Sequence, residues 1–161
     1  MKEYQIRRQD RALAEADCLR LLDEERVGRL ALASKGGDPY IVPLNHVLMD
    51  GVIYFHCATS GRKLEMLREN PSACYEVDRF LGIRSGANAC DYGAFYESAM
   101  AFGTAFEVND MTEKVRILSQ LTTHNAAEGA QFGPVSEARA RNVAVIGIRI
   151  AEVTGKAVPL R

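Results

Sequence analysis

The sequence predicts a mainly β domain decorated by helices, an antiparallel barrel of six strands. Strand-length apolar or alternating runs recur along the chain, as in VGRLALAS and VAVIGIRIAEVT. Most are joined by short turns such as Lys35-Gly36-Gly37-Asp38 and Asp50-Gly51. The helical patterns between them fit an antiparallel barrel better than a doubly wound parallel sheet.

In chain order, residues 1–11 read as a basic arm. A helix follows over 13–25, amphipathic through Leu13, Ala16, Leu19 and Leu22. Strands are expected at 27–34, 39–49 and 52–58. Pro43 lacks a ladder donor, so the second must lie at an edge, a bulge or a barrel rim. Thr59-Ser60-Gly61 opens a short helix, 62–69, which Asn70-Pro71 stops. A strand at 72–79 leads into a Gly-containing stretch, 80–94, read as a long loop. A strand at 96–108 carries Gly103, read as a bulge site. A helix capped by Thr112, a polar stretch, a short helix at 136–141 and a last strand at 143–154 complete the chain.

The 161 residues make one ordinary domain, 1–161, with the barrel over 27–156. Hydrophobic residues at 47% and charged residues at 25% give a globular balance. Lys plus Arg number 20 and Asp plus Glu 21, so charge gives no case for nucleic acid or an anionic membrane as partner. The N-terminal segment is charged and lacks an apolar core, and no apolar run approaches the ~20 residues of a bilayer span. A cytoplasmic location is expected. The four cysteines form no CxxC pair, and with three scattered histidines there is no zinc spacing. Reduced thiols are the plain reading.

The stretch richest in chemistry is YFHCATSGRK, Tyr54 to Lys63. A strand ends in small and hydroxyl residues, and two cations begin a helix. Helix-start N–H groups are unpaired and partly positive, and small residues let a ligand approach the backbone. Arg62 offers a bidentate fork and Lys63 a point charge, both suited to a phosphate monoester. An ordinary turn with solvated cations is the competing reading of the same residues. The spacing is neither that of a Walker loop nor that of a dinucleotide fingerprint.

Taken in order, VGRLALAS, PYIVPLNHVLMDGVIYFHCATSGRKLEMLRENPSACYEVD and YESAMAFGTAFEV resemble the pyridoxamine-5′-phosphate-oxidase-related FMN-binding split barrels. Within that family the nitroimidazole-resistance branch is most similar. The resemblance spans roughly residues 19–108, and its most specific part is YFH, four residues, then G-x-K and an Asn-Pro stop. It implies a six-stranded split barrel working as a homodimer, with FMN at the subunit interface.

Position by position, the resemblance gives Arg62 and Lys63 to the FMN phosphate. It sets Phe55, His56 and Cys57 along the ribityl chain and ring edge, and Pro43, Leu44 and Asn45 beside the isoalloxazine ring. Ser98 would reach the flavin from the partner subunit. His46, directly after Pro-Leu-Asn, would either serve a bound substrate as proton or hydrogen-bond donor or be a satisfied barrel histidine. His56 reads as structural or cofactor-orienting, and His124 as a helix C-terminal cation.

The Arg- and His-bearing tail of true pyridoxamine-phosphate oxidases is missing, so that activity is not expected. The implied activity is electron transfer from a reduced nicotinamide donor through FMN to a small oxidised acceptor such as a nitroaromatic or a quinone. The alternatives are a flavin- or haem-binding protein without turnover, with His46 or a cysteine as axial ligand, and a deazaflavin-dependent reductase.

Overall fold

The computed structural model describes residues 6–160, so the first part of the expected basic arm lies outside the described residues. Helix α1 (Glu15–Glu24) precedes strands β1 (Val27–Ala33), β2 (Pro39–Asn45), β3 (Val47–Met49) and β4 (Val52–Cys57). Helix α2 (Arg62–Glu69) leads to β5 (Ser72–Arg84) and β6 (Gly93–Glu107). Helices α3 (Met111–Asn125) and α4 (Glu137–Ala140) precede β7 (Ala144–Val158).

All seven strands belong to one antiparallel sheet, in the order β2-β1-β5-β6-β7-β4-β3. The two edge strands, β2 and β3, are consecutive in the chain and joined through the single residue His46. The sheet must therefore curl until its edges meet, which makes the barrel. The expected single strand over 39–49 is two strands, because the chain changes partners at His46. Asn45 still pairs with Val27, whereas Val47 pairs with Tyr54. This raises the strand count from six to seven. Pro43 lies on the edge strand β2, where a missing N–H costs no ladder bond.

The stretch expected as a loop over 80–94 is mostly hairpin. Phe80 pairs with Tyr96, Gly82 with Phe95 and Arg84 with Gly93, with a bulge between Phe80 and Gly82. The inside-outside alternation that marks a strand is absent here: Phe80 is 62% and Ile83 64% exposed. The expected bulge at Gly103 is present, as a register shift against β7. Helix α3 is capped by Asp110, which accepts from the Glu113 N–H at 2.8 Å, rather than by Thr112.

The barrel interior is filled by Leu30, Leu32, Ile53, Phe55, Tyr75 and Ile148, closed by Leu21 and Leu22 of α1 and by Leu64 and Leu67 of α2. Gly28 is required here, since a Cβ on it would lie 2.1 Å from the Tyr75 ring. A second cluster packs Ile117, Leu118 and Leu121 of α3 against Val47, Tyr54 and Val145. Arg79 of β5 fastens α1 with ion pairs to Glu24 at 3.0 Å and Glu25 at 2.6 Å.

Candidate functional site

Strand β4 delivers alternate side chains to two environments. Phe55 points into the barrel and is fully buried, while His56 is exposed on the opposite face. After Cys57 the chain turns through Gly61, whose φ of 119° favours glycine and whose missing Cβ leaves open space. Gly61 is the N-cap of α2, and no side chain caps the first turn. The Gly61 carbonyl accepts from the Leu64 and Glu65 N–H groups, at 3.0 and 3.2 Å. The N–H groups before them face outward with the partial positive charge of a helix start.

Two cations stand on this turn. The Arg62 guanidinium lies 5.0 Å from the centroid of the Tyr40 ring, and the Lys63 Nζ 5.5 Å from that of Phe55. Among the described residues neither cation has an acidic partner within ion-pair distance. An uncapped helix start, an open glycine and two unpaired cations fit a phosphate group. Cys57 sits within the field of Lys63. Burial nevertheless pushes its thiol up, against the Lys63 charge, so a reactive thiolate is not favoured.

A cavity of about 420 Å³ is lined by Asn45 and His56, by Leu118, Leu121 and Asn125 of α3, and by Arg139. The Asn45 amide donates to the Arg26 carbonyl at 3.1 Å and to Asn125 Oδ1 at 2.9 Å. Asn125 in turn donates to the His46 carbonyl at 3.0 Å. This amide pair ties the C-terminal end of α3 to the β2–β3 corner. The structure thus brings Asn45 and His56 onto one cavity, which Arg62 and Lys63 do not line.

The other expected site residues are placed differently. Pro43 is exposed and Leu44 half-buried on β2, where the Leu44 carbonyl accepts from the Tyr75 hydroxyl at 2.9 Å. The Phe55 side chain fills the barrel core, so only its main chain is open to a ligand. Ser98 is half-buried on β6, its hydroxyl 3.5 Å from the Lys156 carbonyl. Along β7, Val145 pairs with His56 and Lys156 pairs with Ser98. That stretch is roughly 35 Å at about 3.3 Å per residue. Within one chain, Ser98 stands apart from the α2 turn.

His46 is corrected to an interior position. It is fully buried, packed edge-on against Tyr75 with ring centroids 4.9 Å apart. Its Nε2 donates to the Leu22 carbonyl at 2.7 Å, which leaves Nδ1 without a partner. Burial lowers its pKa, so the ring is neutral, and it has no surface to offer a substrate. The histidine that lines a cavity is His56. Asn125 and Arg139 were not legible as site residues, because only the packing of α3 and α4 against the barrel brings them there.

A family model described as pyridoxamine 5′-phosphate oxidase matches residues 14–157. The chain belongs to that family. Among solved structures, it is similar to a candidate 5-nitroimidazole antibiotic resistance protein from Bacteroides thetaiotaomicron. The identity is 27%, over 90% of this chain and 86% of that one, with a TM-score of 0.75. An FAD-binding protein from Mesorhizobium loti is 26% identical over 92% of this chain and 97% of that one, with a TM-score of 0.69. A flavocytochrome from Azotobacter vinelandii shares the fold, with a TM-score of 0.83 at 21% identity, over 98% of this chain and 75% of that one. No curated protein matches the chain. No helix among the described residues is long and apolar enough to cross a membrane.

Proposed function

We propose that the chain binds FMN and passes electrons from a reduced nicotinamide donor to a small oxidised acceptor, nitroaromatic- or quinone-like. The carrying observation is the α2 turn: an uncapped first turn, an open Gly61, and Arg62 and Lys63 free of ion pairs among the described residues. The FAD-binding relative supports a flavin over other phosphorylated ligands.

Arg62 and Lys63 hold the phosphate. Asn45, fixed by Asn125, sets the cavity wall, and its Oδ1 remains available as an acceptor. His56 lines the same cavity and can hold or give a proton to the acceptor there. Bound FMN supplies the electron chemistry, and the protein supplies position and electrostatics. The separation of Ser98 from the α2 turn supports a homodimer in which Ser98 serves the partner's site. The free thiols of Cys18, Cys57, Cys74 and Cys90 fit a reducing compartment such as the cytoplasm.

Haem fits less well. His46 is enclosed and its Nε2 is committed to Leu22, so it cannot serve as an axial ligand without unpacking α1. A deazaflavin would use the same phosphate turn, and turnover with each cofactor separates the two. The primary test is the flavin content of an Arg62→Ala, Lys63→Ala double variant. Loss of FMN from a folded protein supports the assignment, and unchanged content rejects it.

A further inference from the structure

Three arginines gather at the other end of β7 from the α2 turn. Ala12 bridges to Lys156, and the Leu13 N–H donates to the Gly155 carbonyl at 3.0 Å. These contacts lay the 3-10 turn Gln9–Arg11 beside the end of the sheet. Arg84, the last residue of β5, pairs with Gly93 across the hairpin. Because Gly93 has no side chain, the Arg84 guanidinium lies over it, with Nη2 3.4 Å from where a Cβ would be. Arg8, Arg11 and Arg84 line a concavity of about 460 Å³ together with Asp10, Phe95, Ala157 and Pro159.

The charges there are unequal. Arg8 forks onto Asp10 through two bonds of 2.8 and 2.7 Å. Those bonds hold the Asp10 carboxyl down at about 2, so it stays ionised and neutralises Arg8. Arg11 and Arg84 have no acidic partner within ion-pair distance among the described residues. Arg11 is half-buried and Arg84 exposed, and both guanidiniums line the one concavity. Their charge matches a diphosphate, their forks suit its oxygens, and the volume is that of a small-ligand site. Phe95, half-buried, offers an aromatic wall.

We propose that this concavity binds a nucleoside diphosphate, free or as one half of a dinucleotide, with the diphosphate on Arg11 and Arg84 and the base against Phe95. The assignment uses none of the residues of the α2 turn, although Ala157 follows Lys156, the pairing partner of Ser98, so in the proposed homodimer the concavity adjoins the residue that serves the partner's flavin.

The test is calorimetric titration of the full-length protein with ADP, adenosine and inorganic pyrophosphate. ADP is expected to bind more tightly than either fragment, and an Arg11→Ala, Arg84→Ala variant to lose on the order of tenfold or more in ADP affinity. That variant keeps its FMN content, whereas Arg62→Ala with Lys63→Ala leaves ADP affinity unchanged, so the two sites fail or succeed separately. Displacement of ADP by NADPH or FAD assigns the site to a dinucleotide; retention of ADP against both assigns it to the free nucleotide. Absence of saturable ADP binding overturns the proposal, as does wild-type affinity in the Arg11, Arg84 variant. Pyrophosphate binding as tightly as ADP also overturns it, since the ring wall would then add nothing.

Discussion

Replacing Arg62 and Lys63 together by alanine removes both cations from the α2 turn and leaves the rest of that turn intact. The Gly61 conformation and the outward N–H groups belong to the backbone and survive. Hydrogen bonds to charged groups are worth about 1.5–3 kcal/mol each. Arg62 is exposed and Lys63 half-buried, so solvent screening sets both toward the lower end. The pair then contributes about 3 kcal/mol to holding a phosphate, which is about a 100-fold rise in Kd at about 1.4 kcal/mol per decade. The folded state loses little. Each cation only overlies a ring, Tyr40 or Phe55, an interaction worth about 0.5–1 kcal/mol at exposed sites. Melting should therefore fall by only a few degrees, at about 2–4 °C per kcal/mol for a chain of this size. Flavin fluorescence titration of the apoprotein measures the first quantity and differential scanning calorimetry the second. An FMN affinity changed by less than threefold in a protein that still binds flavin would refute the phosphate assignment.

Gly28→Ala should destabilise the fold by about 2 kcal/mol or more, because its Cβ would meet the Tyr75 ring at 2.1 Å and core overpacking is costly; denaturant unfolding at wild-type stability would contradict that packing. Burial depresses the His46 pKa in the folded protein, so the unfolded chain takes up more protons below its ordinary value of about 6.5. This contribution to stability is complete above that pH and declines as pH falls toward the folded-state value. A His46→Gln variant should accordingly show a flatter stability profile between about pH 7 and 5 than the wild type, and parallel profiles would remove His46 as the cause. His56→Gln should keep its flavin while kcat/KM for the acceptor drops about 100-fold, the usual scale of a lost proton donor; unchanged turnover would make His56 a wall residue only. Light scattering should give twice the chain mass for the flavin-loaded protein, and a monomer retaining its flavin would exclude a site completed by a partner's Ser98.

The local structure was written in the sequence where short-range chemistry is strong. The α2 boundaries match the expectation, because the Gly61 turn starts that helix and Asn70-Pro71 stops it. Pro43 was restricted to an edge, a bulge or a rim, and the bulge at Gly103 was legible, because each constrains the backbone wherever the chain goes. The hairpin at Phe80–Arg84 was not. Phe80, Ile83 and Arg84 are exposed and a bulge breaks the register at Gly82, so no clean period of two marks it, and pairing with β6 makes it a strand. The division of 39–49 at His46 was also hidden. The Asp50-Gly51 turn sets the pairing of Val47 with Tyr54, but nothing local marks where the chain leaves β1; closure of the barrel decides that.

The site divides along the same line. The sequence by itself determined the α2 turn and its two cations, because a helix start followed at once by Arg62 and Lys63 is a local arrangement. Only the tertiary structure decided which histidine is usable. Both His46 and His56 lie in strand-forming stretches, but the corner between β2 and β3 buries His46 under α1, while the pleat of β4 turns His56 toward α3. Likewise, Arg8, Arg11 and Arg84 are scattered in sequence, and they share a concavity only because the N-terminal arm lies along the end of β7. Local chemistry fixes what a segment can do; the long-range pairing of strands fixes which segments face each other.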